Sequence, residues 1–231
     1  MIGMVYLGGR VVSRKILSFC AGFCTLLLVS VAHAQLPQVT NGVAYLSSVQ
    51  NVDGTWGNDS SAVDATAATV TSLDALKLLN QSSGSSYSAG LTWVQGQSPQ
   101  SVAYAAERIR ALGLGTNSLD SLLNALDQLK GAWGGGEGYE TDILDTAIVL
   151  QALRSASYGD TTITNNALGY LIQNQNTDGG WGFCQGGESN VYMTAVVSAT
   201  LQQFPQVTTI ATAVKNGSTY LLSHQNSDGG F

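Results

Sequence analysis

Cations and cysteines are scarce in this sequence, and each shortage removes a class of function. The chain holds 9 Lys and Arg against 15 Asp and Glu, with 3 cysteines in 231 residues. Cys20 and Cys24 lie in an apolar run near the N-terminus, so Cys184 stands alone beyond it. A single cysteine has no intrachain partner, and stability has to come from packing rather than from disulfides. An acidic chain with few Lys and Arg opposes phosphate backbones and anionic lipid, which disfavours nucleic acid and membrane-surface partners. After residue 34 no segment approaches the roughly 20 apolar residues needed to span a bilayer. Only 10% of the residues are charged, which suits a domain with much buried helix.

The N-terminus predicts a compartment. Arg10, Arg14 and Lys15 precede an uncharged run from Ile16 to Val31 that ends in Ala32-His33-Ala34-Gln35. A basic segment, a short apolar segment and a small-x-small site predict a secretory signal peptide over residues 1–34, cut after Ala34. The run is too short for a transmembrane anchor, and Phe19 before Cys20 disfavours a lipoprotein. Cleavage removes three basic residues and no acidic one, taking the net charge from −6 to −9. Residues 35–231 are then expected as one exported domain, periplasmic, secreted or on the cell surface.

Within that domain the sequence repeats itself. Tyr45-Leu46, Tyr170-Leu171 and Tyr220-Leu221 each lead, at the same offsets, to Gln50, Gln175 and Gln225, then to Asp53, Asp178 and Asp228. Glycine follows each Asp, and an aromatic closes each copy: Trp56, Trp181 and Phe231. A worn copy runs from Leu122 to Trp133, and a weaker one from Thr92-Trp93 to Gln97 without the glycine turn. Self-similarity at this period is the signature of stacked supersecondary units. Each unit reads as helix, turn, helix. Leu119, Leu122, Leu123 and Leu126 mark an amphipathic first helix. Asp and Gly break it, because both accept left-handed backbone angles. The aromatic is expected to fold back between helices, and the helix-terminal Gln to satisfy loose backbone groups.

The second helices differ in kind. Segments 143–153 and 191–204 carry apolar or small residues on nearly every side, 64–79 is rich in Ala and Thr, and 102–112 in Ala. Such helices are expected to be buried all round, with the amphipathic ones forming an outer ring.

The Gln-Asn-x-Asp-Gly-Gly-Trp-Gly segment resembles the QW-type (prenyltransferase and squalene oxidase) repeat of the terpenoid-cyclase and protein prenyltransferase superfamily. Asp145-Thr146-Ala147 and Asp64-Ala65-Thr66-Ala67 resemble that family's Asp-Thr-Ala start of an inner helix. The resemblance covers residues 38–231 and implies an all-α, α/α toroid of about six helix pairs around a cavity. This chain supplies about four pairs and stops in mid-motif at Phe231, which predicts a toroid incomplete here and part of a longer protein.

The chemistry that the family implies is harder to find. Its cyclases use an Asp-x-Asp-Asp run as a strong acid; the nearest counterpart is Asp142-Ile143-Leu144-Asp145, for which helix capping is the simpler reading. Cation-handling cavities want aromatic linings, yet Tyr104 and Tyr192 are the only aromatics within the inner helices, apart from Phe204 at an end. A prenyltransferase zinc set needs Asp, Cys and His together, and Cys184 and His224 match no such set. Cys184, beside Trp181 and Phe183, is expected as a small buried group. Cys184-Gln185-Gly186-Gly187-Glu188 lacks a thioester core, the glycines at 134–138 lack a phosphate-loop context, and Asp53, Asp178 and Asp228 form turns rather than a calcium site.

No catalytic constellation, metal or cofactor is therefore expected within this segment. The preferred expectation is a ligand- or partner-binding or scaffold module, by analogy of fold and compartment with extracellular cobalamin carriers. The alternatives are a cyclase-like, prenyltransferase-like or polysaccharide-lyase enzyme with its chemistry beyond Phe231, and a structural surface array. The partner is an unidentified small molecule or protein, or further domains of the same polypeptide. The cavity mouth at the inner helix N-termini is the expected site, with Asp64, Asp142, Asp145, Glu188 and Tyr192 as candidates.

Overall fold

The computed structural model describes residues 5–7, 10–12, 37–57 and 62–231, the side chains of residues 5–12 and 62–64 excepted. The apolar run of the expected leader lies outside the described residues. The chain divides into two units, residues 1–49 and 50–231. In the first, β1 (Val5–Leu7) and β2 (Arg10–Val12) pair antiparallel. The same unit contains α1 (Pro37–Ser48), which buries no residue.

The second unit is helical. Its elements are α2 (Ala62–Leu78), α3 (Ser85–Gly96), α4 (Val102–Leu112), α5 (Asn117–Ala125), α6 (Ile143–Ser155), α7 (Thr161–Gln173), α8 (Val191–Gln202) and α9 (Thr208–Ser223). The helices begin where polar caps take up their free N–H groups. Ser101 accepts from Tyr104, Asp142 from Asp145, Asp160 from Thr162 and Ile163, and Asn190 from Met193. Helices α2, α4, α6 and α8 pack one against the next as an inner layer, while α3, α5, α7 and α9 cover their outer side. The fold is an α/α toroid arrangement, and its core holds Trp133, Trp181, Leu150, Leu168, Leu171 and Met193 between the layers.

One repeated joint holds the layers together. The backbone N–H of Trp56, Trp133 and Trp181 donates to the hydroxyl of Thr69, Thr146 and Thr194 at 3.1, 3.0 and 3.0 Å, always 13 residues on. The indoles of Trp133 and Trp181 reach back to the carbonyls of Leu122 and Leu171, at 2.7 and 2.8 Å, and close the outer helix ends. Gln175 Nε2 bonds both Gly179 O and Ala213 O at 2.8 Å, tying its turn to the next outer helix. Gln50 does the same with Gly54 O and Ser86 O. Gly179, at φ +88°, passes so close to the backbone of Asn216 that a Cβ would lie 2.7 Å from its carbonyl oxygen. Asp178 Oδ1 accepts from Gly180 N at 2.9 Å and from Ser189 Oγ at 2.8 Å, consistent with a turn-forming role.

The weaker repeat at Thr92 to Gln97 is held differently. Around Gln97 there is no turn tryptophan, and Ala105 stands where the other inner helices have the bonding threonine. Arg108 of α4, only 5% exposed, takes over. Its guanidinium bonds the carbonyls of Val94, Gln95 and Gln97 at the end of α3, and Ser118 Oγ at 3.0 Å.

Two expectations are corrected. The inner helices are not buried all round: Tyr192, Ala195 and Ala199 of α8 are exposed, as are Ala67 and Thr71 of α2, so one side stays open. Cys184 is exposed rather than buried, because the loop after Trp181 turns outward and carries Phe183 with it.

Candidate functional site at the open inner wall

The threonine joint sets a common register for the inner helices: Thr69, Ala105, Thr146 and Thr194 occupy one level. Two residues before it come Ala67, Ala103, Leu144 and Tyr192; two after come Thr71, Glu107, Ile148 and Val196; five after come Asp74, Arg110, Gln151 and Ala199. None of these twelve is buried, although each helix buries its other sides, so three tiers line the uncovered wall. Most of that wall is small or apolar.

Asp142 and Asp145 separate at this level of detail. Asp142 is the N-cap of α6, and its Oδ1 accepts from Asp145 N at 2.8 Å. Asn190 occupies the same register place on α8 and does the same for Met193 at 2.9 Å, so a carboxylate is not specially required there. Asp145 is different. Its counterparts are Ala68, Tyr104 and Met193, so the fold does not demand an acid at this level. Burial, a hydrogen bond with Asp142 and that neighbour's charge push the Asp145 carboxyl up to about 7. Close to neutral pH it therefore retains its proton in a large fraction of molecules. Gly135 backs onto it: a Cβ there would meet Asp145 Oδ2 at 4.0 Å and the Tyr139 ring at 3.9 Å. The backbone N–H of Ile143 donates to Phe183 O at 3.5 Å, which lays the Phe183 loop over the start of α6. Phe183 and Tyr192, 58% and 59% exposed, face each other with ring centroids 6.5 Å apart.

The other candidates disperse. Glu188 is exposed in the loop before α8, off the three wall tiers. The side chain of Asp64 lies outside the described residues; the register makes Ala68, not Asp64, the counterpart of Asp145, so the Asp-Thr-Ala likeness at Asp64 is out of step by four. Tyr104 is buried and lines nothing. His224 stacks on Tyr220 at 4.0 Å and bonds its carbonyl at 2.8 Å, ending α9. Among the described residues no group of three His, Cys, Asp or Glu side chains could hold a metal ion.

Sequence reasoning missed an ionic network in the two deeper tiers. Arg110 Nη1 lies 3.0 Å from both carboxylate oxygens of Glu107, and Nη2 bonds Asp74 on the neighbouring inner helix. Burial raises the Glu107 carboxyl above its usual range, while Arg110 beside it acts in the opposite sense. The joint that aligns the inner helices is itself a tertiary feature, and α4 carries Ala105 in place of its threonine, so no sequence signal marked the tier shared by Asp74 and Arg110.

The family is then explicit. A model of the squalene-hopene cyclase C-terminal domain matches residues 139–231, and one of the prenyltransferase alpha-alpha toroid domain matches residues 14–114. The chain belongs to this terpenoid cyclase and prenyltransferase α/α-toroid superfamily. A protein from Actinoplanes superposes with TM-score 0.64 at 19% identity, over 84% of this chain and 69% of its own. The type II terpene cyclase MstE from Scytonema gives TM-score 0.66 at 15% identity, over 83% of this chain and 63% of its own. A variant of MstE has been solved with its substrate, geranylgeranyl dihydroxybenzoate. ent-Copalyl diphosphate synthase from Streptomyces platensis gives 0.60 at 18%, over 80% of this chain and 39% of its own. These likenesses establish the fold, and this chain spans less than two thirds of either named cyclase. No curated protein sequence matches it.

Proposed function

We propose that this chain is an exported ligand-binding toroid module whose open inner wall holds a small, largely apolar molecule. Asp145 offers that molecule a proton-bearing carboxyl at the mouth. The observation that carries the reading is Asp145: an acid where the equivalent residues are Ala68, Tyr104 and Met193, its carboxyl raised to about 7, on the helix start over which the exposed Phe183 loop lies. A carboxyl kept neutral, its proton shared with Asp142, presents an oxygen to a ligand hydroxyl without the cost of burying a charge.

The cyclase alternative is weaker on the same geometry. Of the Asp-x-Asp-Asp pattern, Leu144 stands in the third place and Asp142 is committed to capping. A carboxyl raised to about 7 is also a poor acid for protonating an alkene. Export rests on the leader pattern of residues 1–34 alone.

Geranylgeraniol tests the reading, since the substrate of MstE carries a geranylgeranyl chain. Saturable binding is expected by titration calorimetry, weakened about tenfold by Leu144→Glu, with the alcohol recovered unchanged. No binding to the folded protein would overturn the proposal. A cyclised product whose formation needs Asp145 would replace it with the enzyme reading.

A further inference from the structure

The deeper part of the same wall has a polarity that the fold does not require. Asp74, Arg110 and Glu107 form one network across α2 and α4, linking residues 36 apart in the chain. Their side chains are 36%, 24% and 17% exposed, so all three ions have surrendered much of their hydration. Desolvated ion pairs contribute little to stability and are often replaceable by apolar residues. The chain itself illustrates this: the counterparts of Glu107 on α6 and α8 are Ile148 and Val196, in the same packing environment.

The network is also unbalanced. Two carboxylates face one guanidinium, leaving one negative charge over. The next inner helix adds a further acceptor. Gln151 Nε2 donates at 2.7 Å to Thr200 Oγ1, whose own hydrogen goes to Val196 O at 2.9 Å. That chain of donors orients the Gln151 amide and leaves its Oε1 as a free acceptor, in the same tier as Arg110. Asp74 Oδ1 is likewise outside the bonds to Arg110. Acceptors and negative charge are therefore in excess, while the guanidinium is already held by both carboxylates.

We propose that this tier is the head-group site for a ligand bearing a single ammonium on an apolar chain. An ammonium brings three hydrogen-bond donors, no acceptor and one positive charge, which is the complement of what the tier leaves over. The chain of the ligand then runs along Ile148 and Leu144 to Tyr192 at the mouth. Gln151 to Leu144 is about 10 Å along α6 at 1.5 Å per residue, a length that an octyl group matches. The inference rests on the ligand-binding reading above and specifies the class of molecule for the same wall.

Titration calorimetry of the full chain with n-octylamine, n-octanol and sodium octanoate separates the two claims. Octylamine is expected to bind at least tenfold more tightly than octanol, and octanoate more weakly than either. Glu107→Gln, which keeps the size and removes the excess charge, is expected to weaken octylamine about tenfold and so erase its preference over octanol. Asp74→Asn serves as the second variant, and a melting curve confirms that each is folded. Equal binding of amine and alcohol, a preference for octanoate, or a preference that survives in both folded variants would overturn the head-group site while leaving the apolar wall standing. Failure of all three probes on the wild-type chain would overturn both claims together.

Discussion

Asp142 and Asp145 stand three residues apart on the same first helical turn and do different work. Asp142 is placed where α6 needs an acceptor for its free N–H groups, and Asn190 serves the equivalent end of α8. Asp145 meets no such need, and burial beside Asp142 lifts its carboxyl from 3.8 to about 7. The folded chain then binds this proton more tightly than the unfolded chain does. The resulting stabilisation is complete below 3.8 and disappears as pH rises through about 7. The melting temperature should therefore fall across that window, by less than the full linkage value because the side chain is only half-buried. Asp145→Asn should flatten this part of the profile, measured by thermal unfolding in a series of buffers. An unaltered slope in the variant would show that Asp145 titrates normally. The sequence showed two carboxylates at helical spacing; their opposite roles depend on the burial of Asp145 and on the register partners, which it did not show.

At the scale of the element, the unit that repeats is the joint as much as the helix pair. Gln, Asp, Gly and Trp were legible as a turn because their conformational preferences are local. The threonine that receives each Trp N–H was not, since nothing in the motif marks a residue 13 places on as its partner. The weaker repeat at Thr92 to Gln97 makes the same point more sharply. A turn without tryptophan reads as a defect in sequence, yet Arg108 supplies the missing donors from the inner helix, 11 to 14 residues from the carbonyls it holds. Arg108→Met keeps most of the buried stem but removes the guanidinium donors, leaving Val94 O only the Gln97 N–H and taking the side-chain donor from the Gln95 and Gln97 carbonyls. It is expected to cost about 3 kcal/mol, from buried acceptors at roughly 1–3 kcal/mol each. Chemical denaturation would measure this, and a loss below about 1 kcal/mol would mean that water replaces the guanidinium.

For the whole molecule, export is the prediction with the simplest readout. Secretion from a bacterial host should yield a product starting at Gln35, identified by N-terminal sequencing, and retention of Met1 in a membrane-bound product would contradict the leader. The amino-acid sequence by itself determined the helix–turn–helix period, the toroid family and the excess of acid over base. Each of these is carried by contacts within a few residues or by composition. Tertiary structure alone decided which side of the inner helices stays open and which residues share a tier of that wall. Asp74 and Arg110 are 36 residues apart, and Gln151 and Thr200 are 49 apart. Their meeting depends on how successive helix pairs stack, a consequence of side-chain packing across the whole array that no local pattern encodes.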